Sequence, residues 1–462
     1  MGKVLRRKNT ARQVLMGASA KKTDSRRKGR LKFLEELPRT EPRTVAGEML
    51  RRYWHPVYLS RDLKDIPVAV RMLGEDLVLF RDLNGHPGLI GAQCSHRGAS
   101  LEYAQIHEKG LMCSYHGWTY DTKGRCVDMP LEPPGTKLKE KIRHLWYPSV
   151  EWAGVIWTYM GLDKESPPPL PKIDVLARSD GEVHLVAGDF RNYNYLNWME
   201  NFADMGHAFI LHSLEAMDVP DELKPYNDAT IKSWIPSQLE FVETDYGMKT
   251  VAVWDAGDPG MKFVNAWSIA LPTHWRFSGV NAGLPPDFTD DRREGGGMLR
   301  IIDDTHFEIF RYTLLRNGNF RGNFIPRKMT AADRGLPEVL EGTVEKKDYD
   351  KRKYSAWEGI APLEDLVLQE SQGEIADRTA EHLATSDRGV ILLRKILRQV
   401  MKDAVGGKQP KAVRSGEKEI LEVDTFHGHI KASDLEINSR NLPSSLNGEG
   451  LIRDSSGKLA FC

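Results

Sequence analysis

The sequence has few cysteines, no long apolar run and no excess of charge of either sign. Its 462 residues contain four cysteines, namely Cys94, Cys113, Cys126 and Cys462. So few cysteines, so unevenly spaced, do not supply a disulfide framework for a chain of this length, and we therefore expect a cytoplasmic location. Every apolar run is far shorter than the roughly 20 residues of a membrane-spanning helix, so no membrane partner is expected.

The charges of the chain cancel, with 65 basic and 65 acidic residues. The body of the chain therefore gives no indication of a nucleic-acid partner. The two ends differ from the middle, since residues 1–32 are strongly basic and residues 406–462 are polar and rich in glycine and serine. We expect both ends to lie outside the folded body.

The first half of the chain has the pattern of an all-β domain. Apolar and polar residues alternate in VAVRMLGEDLVLFRD, and Asn84-Gly85 marks a tight turn after it. The segment WTYDTKGRCVDM predicts a second hairpin, with its turn at residues 121–124. A proline cluster at 166–171 then predicts a stiff connection to the rest of the chain.

The second half predicts an α+β domain, because helical patterns flank a group of strand patterns. The helical patterns cover residues 192–212 and 363–402, the second with breaks at Gly373 and at 386–389. The strand patterns, typical of an antiparallel sheet, cover residues 229–243, 247–254, 263–270 and 298–316. The predicted division of the chain is an N-terminal arm and lead-in over 1–45, a β domain over 46–165, a connection over 166–174, an α+β domain over 175–405 and a C-terminal tail over 406–462.

Two of the cysteines stand beside histidines in a repeated pattern. Cys94 and His96 form C-x-H, and Cys113 and His116 form C-x2-H further along the chain. Each pair is short enough to extend from one loop, so two facing loops make a site with four ligands. A zinc ion accepts two cysteines and two histidines, but its usual motifs place like ligands together. The mixed pairs favour a two-iron, two-sulfide cluster, in which two thiolates hold one iron and two imidazoles the other.

The stretch CSHRGASL…CSYHGWTYD closely resembles the Rieske centre of the Rieske non-heme iron aromatic-ring oxygenases. The motifs of that family are usually C-x-H-R-G and C-x-Y-H-G-W. The segments RRYWHPVYLS and CVDMP resemble, more narrowly, its phthalate dioxygenase and aryl O-demethylase branch. The resemblance covers about residues 46–400 and implies a Rieske [2Fe–2S] domain followed by a helix-grip-like catalytic domain.

A second group of candidate metal ligands lies in NWMENFADMGHAFILHS, which contains His207 and His212. Residues at this spacing point to different sides of a regular helix, so they share one metal only where the helix ends or bulges. Asp204 shares a helix face with His207, and its carboxylate is placed to accept a hydrogen bond from the non-ligating nitrogen. The string E-N-x-x-D-x-x-H-x4-H, which begins at Glu200 and Asn201, matches the iron-binding motif of the family.

A mononuclear Fe(II) that activates O2 is typically held by two histidines and one carboxylate. The segment PLEDLVLQESQGEIADR resembles the part of the family that supplies the carboxylate, and this match implies Asp365 as the third ligand. The competing carboxylates nearby, which we expect to be solvated, are Glu364, Glu370 and Asp377.

The resemblance implies an enzyme, the oxygenase subunit of a multicomponent dioxygenase or monooxygenase that uses O2. The sequence lacks a convincing G-x-G-x-x-G fingerprint for a dinucleotide, so NAD(P)H is expected to act through a separate reductase with flavin and an iron–sulfur centre. The family's homotrimers or stacked trimers imply that Asp204 links His116 across a subunit interface to His207 of its own chain. Ring hydroxylation and oxidative O-demethylation use the same metal set, so the motifs do not choose between them.

The expected substrate is an aromatic compound, most simply an aromatic acid. A dianion such as phthalate is expected to meet arginines, which bind carboxylates in a bidentate manner. Between Arg191 and Arg276 the sequence has no arginine. The cations in this interval are Lys224, Lys232, Lys249 and Lys262. This favours a bulkier or less charged aromatic, such as a methoxylated acid, and predicts no particular substrate contact.

Two other classes of protein compete with the oxygenase. A Rieske electron-transfer protein has the first set of ligands and no second metal, so residues 197–212 would then be structural. A zinc-stabilised binding module would hold zinc at the first set and would be colourless. Iron and sulfide content separates all three.

Overall fold

The computed structural model describes residues 29, 31–179, 181–211, 236–255, 260–278, 294–316, 361–413, 420–435, 451–453 and 459–461. Of the helices in these ranges, none is both long enough and apolar enough to cross a membrane.

The N-terminal part of the described chain consists of small antiparallel sheets with little helix. Its elements are α1 (Val45–Leu50), β1 (Trp54–Leu59), β2 (Val68–Met72), β3 (Glu75–Arg81), β4 (Pro87–Gly91), β5 (Gln105–His107), β6 (Gly110–Met112), β7 (Thr119–Tyr120), β8 (Cys126–Asp128), α2 (Leu138–Lys141), β9 (Trp146–Tyr147), β10 (Ser149–Trp152) and β11 (Val155–Tyr159). The strands pair in the orders β1-β11-β10, β2-β3-β4-β9 and β5-β6-β7-β8. The two predicted hairpins, β3–β4 and β7–β8, are confirmed.

The C-terminal part is built on a large antiparallel sheet with helices packed against it. Its elements are β12 (Lys172–Ile173), β13 (Gly181–Arg191), α3 (Tyr195–Ala203), α4 (Met205–Leu211), β14 (Gln238–Glu243), β15 (Gly247–Asp255), β16 (Met261–Ala270), β17 (His274–Ser278), β18 (Glu294–Ile301), β19 (Phe307–Arg316), α5 (Ala361–Glu370), α6 (Arg388–Val405), β20 (Ile420–Leu421), β21 (Phe426–Lys431), β22 (Leu451–Arg453) and β23 (Leu459–Phe461). The sheet runs β13-β19-β18-β17-β16-β15-β14, and β21 pairs with β16. The expectation that residues 406–462 lie outside the folded body is wrong for β21, because its Phe426 and Ile430 are buried against β15 and β16. The predicted α+β class is confirmed.

Two elements differ in detail from the sequence patterns. The strand predicted over 298–316 is two strands, β18 and β19, because the Asp303 carboxylate accepts the N–H of Thr305 at 3.0 Å and turns the chain. The helix predicted over 192–212 is likewise divided, at Asp204. The predicted breaks in the helical pattern over 363–402 are confirmed, because the chain leaves the helix between α5 and α6 and Gly373 has a φ of +90°. Residues 229–235 lie outside the described residues.

The lead-in to the first domain is part of the fold. Thr40 donates its N–H to the Asp304 carboxylate at 2.7 Å, and the side chain of Asn194 donates to the carbonyl of Pro38 at 2.8 Å. The Asn194 side-chain oxygen accepts the N–H of Leu196 at 3.0 Å and so caps α3. The start of α3 is therefore fixed against residues 38–40, while the predicted domain boundaries stay a prediction.

A buried ion cluster ties α3 to the segment after α5 and to α6. Glu200 on α3 accepts hydrogen bonds from Arg378 at 2.9 Å and from Arg394 on α6 at 2.6 Å. The side chain of Arg378 is 1% exposed and also donates to Asn197 at 2.7 Å. Burial by itself raises the pKa of Glu200, but the charges of the two guanidinium groups outweigh it and hold the pKa below its ordinary value. The carboxylate is therefore ionised in the folded chain and joins three segments.

Replacing Glu200 with glutamine is expected to lower the free energy of unfolding by roughly 3–5 kcal/mol, because two buried guanidinium groups lose their carboxylate. Urea unfolding at neutral pH measures the loss. Because the native pKa of Glu200 is lowered, its stabilisation is present above the ordinary glutamate pKa and disappears as the pH falls through the native value. The difference between the two proteins should shrink over that acidic range. Glu381→Gln, at the more exposed edge of Arg394, is the control and should cost about 1 kcal/mol or less. Equal losses in both variants would contradict the account.

Candidate metal centres

Two loops in the N-terminal part share one backbone turn. The N–H of Gly98 donates to the carbonyl of Cys94 at 2.8 Å, and the N–H of Gly117 donates to that of Cys113 at 2.9 Å. Both glycines lie in the left-handed region, with φ of +73° and +76°, which residues with a side chain rarely adopt. A side chain at Gly117 would also meet the ring of Pro130. The glycines of the two motifs thus close the loops behind the cysteines.

The predicted ligands of these loops lie together. Cys94 and Cys113 are both 3% exposed, whereas His96 and His116 are half-buried. The two imidazole rings meet edge to face with centroids 4.6 Å apart, and the ring of Trp118 stacks on His96 at 4.6 Å. Partial burial and the neighbouring His96 lower the pKa of His116, which favours the neutral, ligating form. The two thiols are therefore deep in the fold, and the two imidazoles lie nearer the surface.

Hydrogen-bond donors surround the first thiol. Burial raises the pKa of the Cys94 thiol, while the Tyr120 hydroxyl, 3.2 Å from the sulfur, and the backbone of His96 act in the opposite direction. Donors directed at sulfur stabilise a thiolate, the form that binds iron. Two buried sulfurs, the first with donors beside it, and two outer imidazoles match the donor set of a Rieske [2Fe–2S] cluster. Tyr120 was not predicted, although it stands inside the quoted motif.

Asp204 shapes the backbone of the second site. It ends α3 with φ −95° and ψ 82°, and its carboxylate accepts the N–H of Gly206 at 3.0 Å, which caps the start of α4. The main-chain carbonyl of Asp204 faces Nδ1 of His207. The sequence pattern suggested the carboxylate for this contact, but the helix break turns the carboxylate toward the backbone of α4. Sequence periodicity did not reveal the break because apolar residues continue on both sides of it, at Phe202 and Met205.

The carbonyl of Asp204 fixes the state of His207. A carbonyl oxygen only accepts, so Nδ1 carries the hydrogen and Nε2 presents its lone pair. Nε2 lies 3.5 Å from Oδ1 of Asp365, on α5, and Asn201 donates to the same oxygen at 3.2 Å. This separation suits two atoms that share one metal ion with bonds of about 2 Å each. The remaining predicted ligand, His212, lies outside the described residues, so the three-residue ligand set stays a prediction.

The competing carboxylates are placed differently. The Asp377 carboxylate accepts the N–H and the hydroxyl of Thr379, at 2.9 and 2.6 Å, within its own turn. Glu370 ends α5 at a half-buried position, and the side chain of Glu364 is not described. Among the residues that the structure describes, no three His, Cys, Asp or Glu side chains converge closely enough to hold a single ion.

Comparisons with known proteins match the region of the first site and show the family of the chain. The family model of the Rieske [2Fe-2S] domain matches residues 53–145, which contain both cysteine–histidine loops. The chain is 33% identical to the phenoxybenzoate dioxygenase subunit alpha of Ectopseudomonas oleovorans, over 82% of this chain and 87% of the relative. It is 31% identical to the oxygenase subunit of a tert-butanol monooxygenase / tert-amyl alcohol desaturase of Aquincola tertiaricarbonis, over 90% and 86%.

Two further similarities support the same assignment. The chain is 30% identical to the 5,5'-dehydrodivanillate O-demethylase oxygenase subunit of a Sphingobium species, over 82% of each chain. The crystal structure of dicamba monooxygenase bound to dicamba has the same fold, with a TM-score of 0.54 and 18% identity over 77% of this chain and 99% of that one. With Rieske ligands in one part and His207 facing Asp365 in the other, the chain belongs to the Rieske non-heme iron oxygenases, as a catalytic subunit that carries a [2Fe–2S] cluster and a mononuclear iron and uses O2.

Proposed function

We propose that the chain is the oxygenase component of a multicomponent enzyme that hydroxylates an aromatic acid in the cytoplasm, with electrons from NAD(P)H supplied through a separate flavin and iron–sulfur reductase. The carrying observation is that His207 faces Asp365 at 3.5 Å in a chain that also holds the Cys2His2 loops. A Rieske electron-transfer protein needs only the loops. When bound, the cluster supplies single electrons and the Fe(II) supplies a site for O2.

The names of the relatives support an aromatic substrate without fixing it. Phenoxybenzoate and dehydrodivanillate are aromatic, whereas the tert-butanol monooxygenase acts on a tertiary alcohol. Oxidative O-demethylation of a methoxylated aromatic acid is the alternative reaction, and the O-demethylase relative supports it. A panel of aromatic acids, methoxylated acids and tert-butanol, scored for cis-diol, phenol and formaldehyde, tests the proposal. Turnover of the alcohol alone would overturn the aromatic substrate.

The buried charges favour a substrate with one carboxylate over a dianion. Asp189 accepts hydrogen bonds from Arg191 at 3.0 Å and from Arg311 at 2.7 Å, and both guanidinium groups lie over the ring of Trp198. Burial by itself lowers the pKa of Arg191. The charge of Asp189 and, more weakly, that of Asp365 outweigh burial and raise this pKa above its ordinary value. The group formed by Asp189, Arg191 and Arg311 therefore lies within electrostatic range of Asp365, the proposed iron ligand. Two cations and one anion leave a single positive charge for a substrate carboxylate.

The other cations considered in the sequence analysis pair with carboxylates wherever the structure describes them. Lys224 and Lys232 lie outside the described residues. The described pairs are Lys249 with Asp424, Lys262 with Asp255 and Arg276 with Asp174. These pairings leave little positive charge for a second carboxylate, in line with the spacing of arginines in the sequence.

We further propose that the subunits assemble head to tail as trimers or stacked trimers, with Asp204 bridging its own His207 and the partner subunit's His116. Two features support the interface. The ring of Tyr115 covers His116 at 3.9 Å and is itself 62% exposed. Burial, assisted by the charge of Asp387, raises the pKa of Asp204, which suits a group that accepts a hydrogen bond or a proton.

Asp204→Asn is expected to lower turnover on the order of 100-fold while both metal centres remain bound. Asparagine caps a helix as well as aspartate does, so α4 and the orientation of His207 are kept and only the charge is lost. Steady-state turnover with a surrogate reductase and an iron count measure the two effects. Asp377→Asn removes a carboxylate that bonds to Thr379 within its own turn and is the control, with turnover near that of the wild type. Near-normal coupled oxygenation by Asp204→Asn would contradict the bridge.

Asp365→Ala is expected to lower the iron content from about three to about two atoms per chain, because it removes a ligand of the mononuclear site alone. The sulfide content and the visible spectrum of the cluster should not change. Glu370→Ala, on the same helix, is the control and should keep all the iron. If Asp365→Ala keeps the third iron, the carboxylate ligand lies elsewhere.

Arg311→Gln is expected to raise KM for an aromatic acid about tenfold, the effect of losing one hydrogen bond between charged groups. The methyl ester of the same acid should change less than about twofold. Lys262→Gln, which breaks the pair with Asp255 at the ends of β15 and β16, serves as the control. Equal effects on acid and ester would remove Asp189, Arg191 and Arg311 from substrate recognition.

A further inference from the structure

The two Rieske loops differ in what holds the serine directly after each cysteine. The Ser95 hydroxyl lies 2.8 Å from Nδ1 of His144, whereas the Ser114 hydroxyl donates to the carbonyl of Tyr103 at 2.6 Å. The backbone turns are alike, and the serines occupy the same place in them. The first loop is therefore held by a side chain from another segment, and the second by the main chain.

The hydrogen positions of this contact follow from the chemistry of the partners. Nε2 of His144 lies 2.8 Å from the carbonyl of Gly91, and a carbonyl oxygen only accepts. Nε2 therefore carries the hydrogen, Nδ1 is the acceptor, and Ser95 donates to it. Burial lowers the pKa of His144, in keeping with this neutral form. The hydroxyl hydrogen of Ser95 is thereby directed to His144, and the same hydroxyl oxygen also lies within hydrogen-bond reach of the Tyr120 hydroxyl.

His144 also packs against the residue that contacts the first thiol. Its ring lies over that of Tyr120, with centroids 4.6 Å apart at 31°. The Tyr120 hydroxyl is 3.2 Å from the sulfur of Cys94, and burial raises its pKa, so the hydroxyl keeps its hydrogen as a donor. One buried imidazole thus contacts both groups that flank Cys94, one through a hydrogen bond and the other through its ring.

We propose that His144 is a positioning residue for the Rieske centre, which holds Ser95 and Tyr120 so that the Tyr120 hydroxyl donates to Cys94. A [2Fe–2S] cluster held by Cys94 would gain one negative charge when it accepts one electron from the reductase. A hydrogen bond to the sulfur stabilises that added charge, and hydrogen bonds to sulfur are among the features that set the potentials of such clusters. His144 therefore raises the reduction potential without contacting the cluster. This inference rests on the Rieske assignment and not on the identity of the substrate.

The midpoint potential of the purified full-length protein tests the role, with iron and sulfide counted in each variant. Tyr120→Phe removes the donor, and we expect the equilibrium constant for reduction to fall about tenfold, which is 59 mV for one electron. Ser95→Ala and His144→Phe should each lower it at least about threefold. Their double variant should fall no further than His144→Phe, because the two residues act through one contact.

Two comparisons separate positioning from a general loss of packing. Ser114→Ala removes the equivalent hydroxyl from the other loop and should leave the potential unchanged. His144→Asn retains an acceptor for Ser95 and should lie closer to the wild type than His144→Phe. An unchanged or raised potential in Ser95→Ala, or an equal fall in Ser114→Ala, would overturn the proposal. If His144→Phe fails to hold iron and sulfide, Ser95→Ala and His144→Asn decide the question.

Discussion

The arrangement of the mononuclear site depends on the buried pairing of Glu200 with two arginines. His207 and Asp365 come from distant parts of the sequence, and nothing local brings them together. Glu200 holds Arg378, just beyond the helix of Asp365, and Arg394 on the following helix. Its neighbour Asn201 then reaches Asp365 directly. One ionised carboxylate in the interior thus fixes the spacing of the side chains proposed to bind the iron, so its loss would change this site as well as the stability of the fold.

Asp204 combines several tasks that usually fall to different residues. Its backbone ends one helix, its carboxylate caps the next, and its carbonyl sets the tautomer of His207. The carboxylate is at the same time the proposed link to a neighbouring subunit. A short interruption between two helices therefore connects local backbone chemistry with the proposed passage of electrons between subunits.

The sequence predicts a functional site best where the residues of that site are close together along the chain. The loops around Cys94 and Cys113 were predictable because residue type, spacing and the closing glycines all lie within a few positions. The pairing of Asp365 with His207 followed only from family resemblance, since spacing does not reveal contacts between distant segments. The roles of Arg378 and His144 were not predictable, because each acts on a residue from another part of the chain. The break at Asp204 was not predictable from periodicity because the backbone of an aspartate ends one helix and its carboxylate caps the next, with no proline to mark the place.

The central claim is that the chain receives electrons at the Rieske loops and uses them at the proposed mononuclear iron site. A single-turnover experiment tests this most directly. The protein is reduced chemically, freed of reductant and exposed to isotopically labelled O2 with an aromatic acid substrate. The product is then examined by mass spectrometry. The account predicts label in the hydroxylated product, or in the formaldehyde released by demethylation, without any reductase present. A cluster that reoxidises normally, across the substrate panel, with no labelled product would contradict the account and leave an electron carrier.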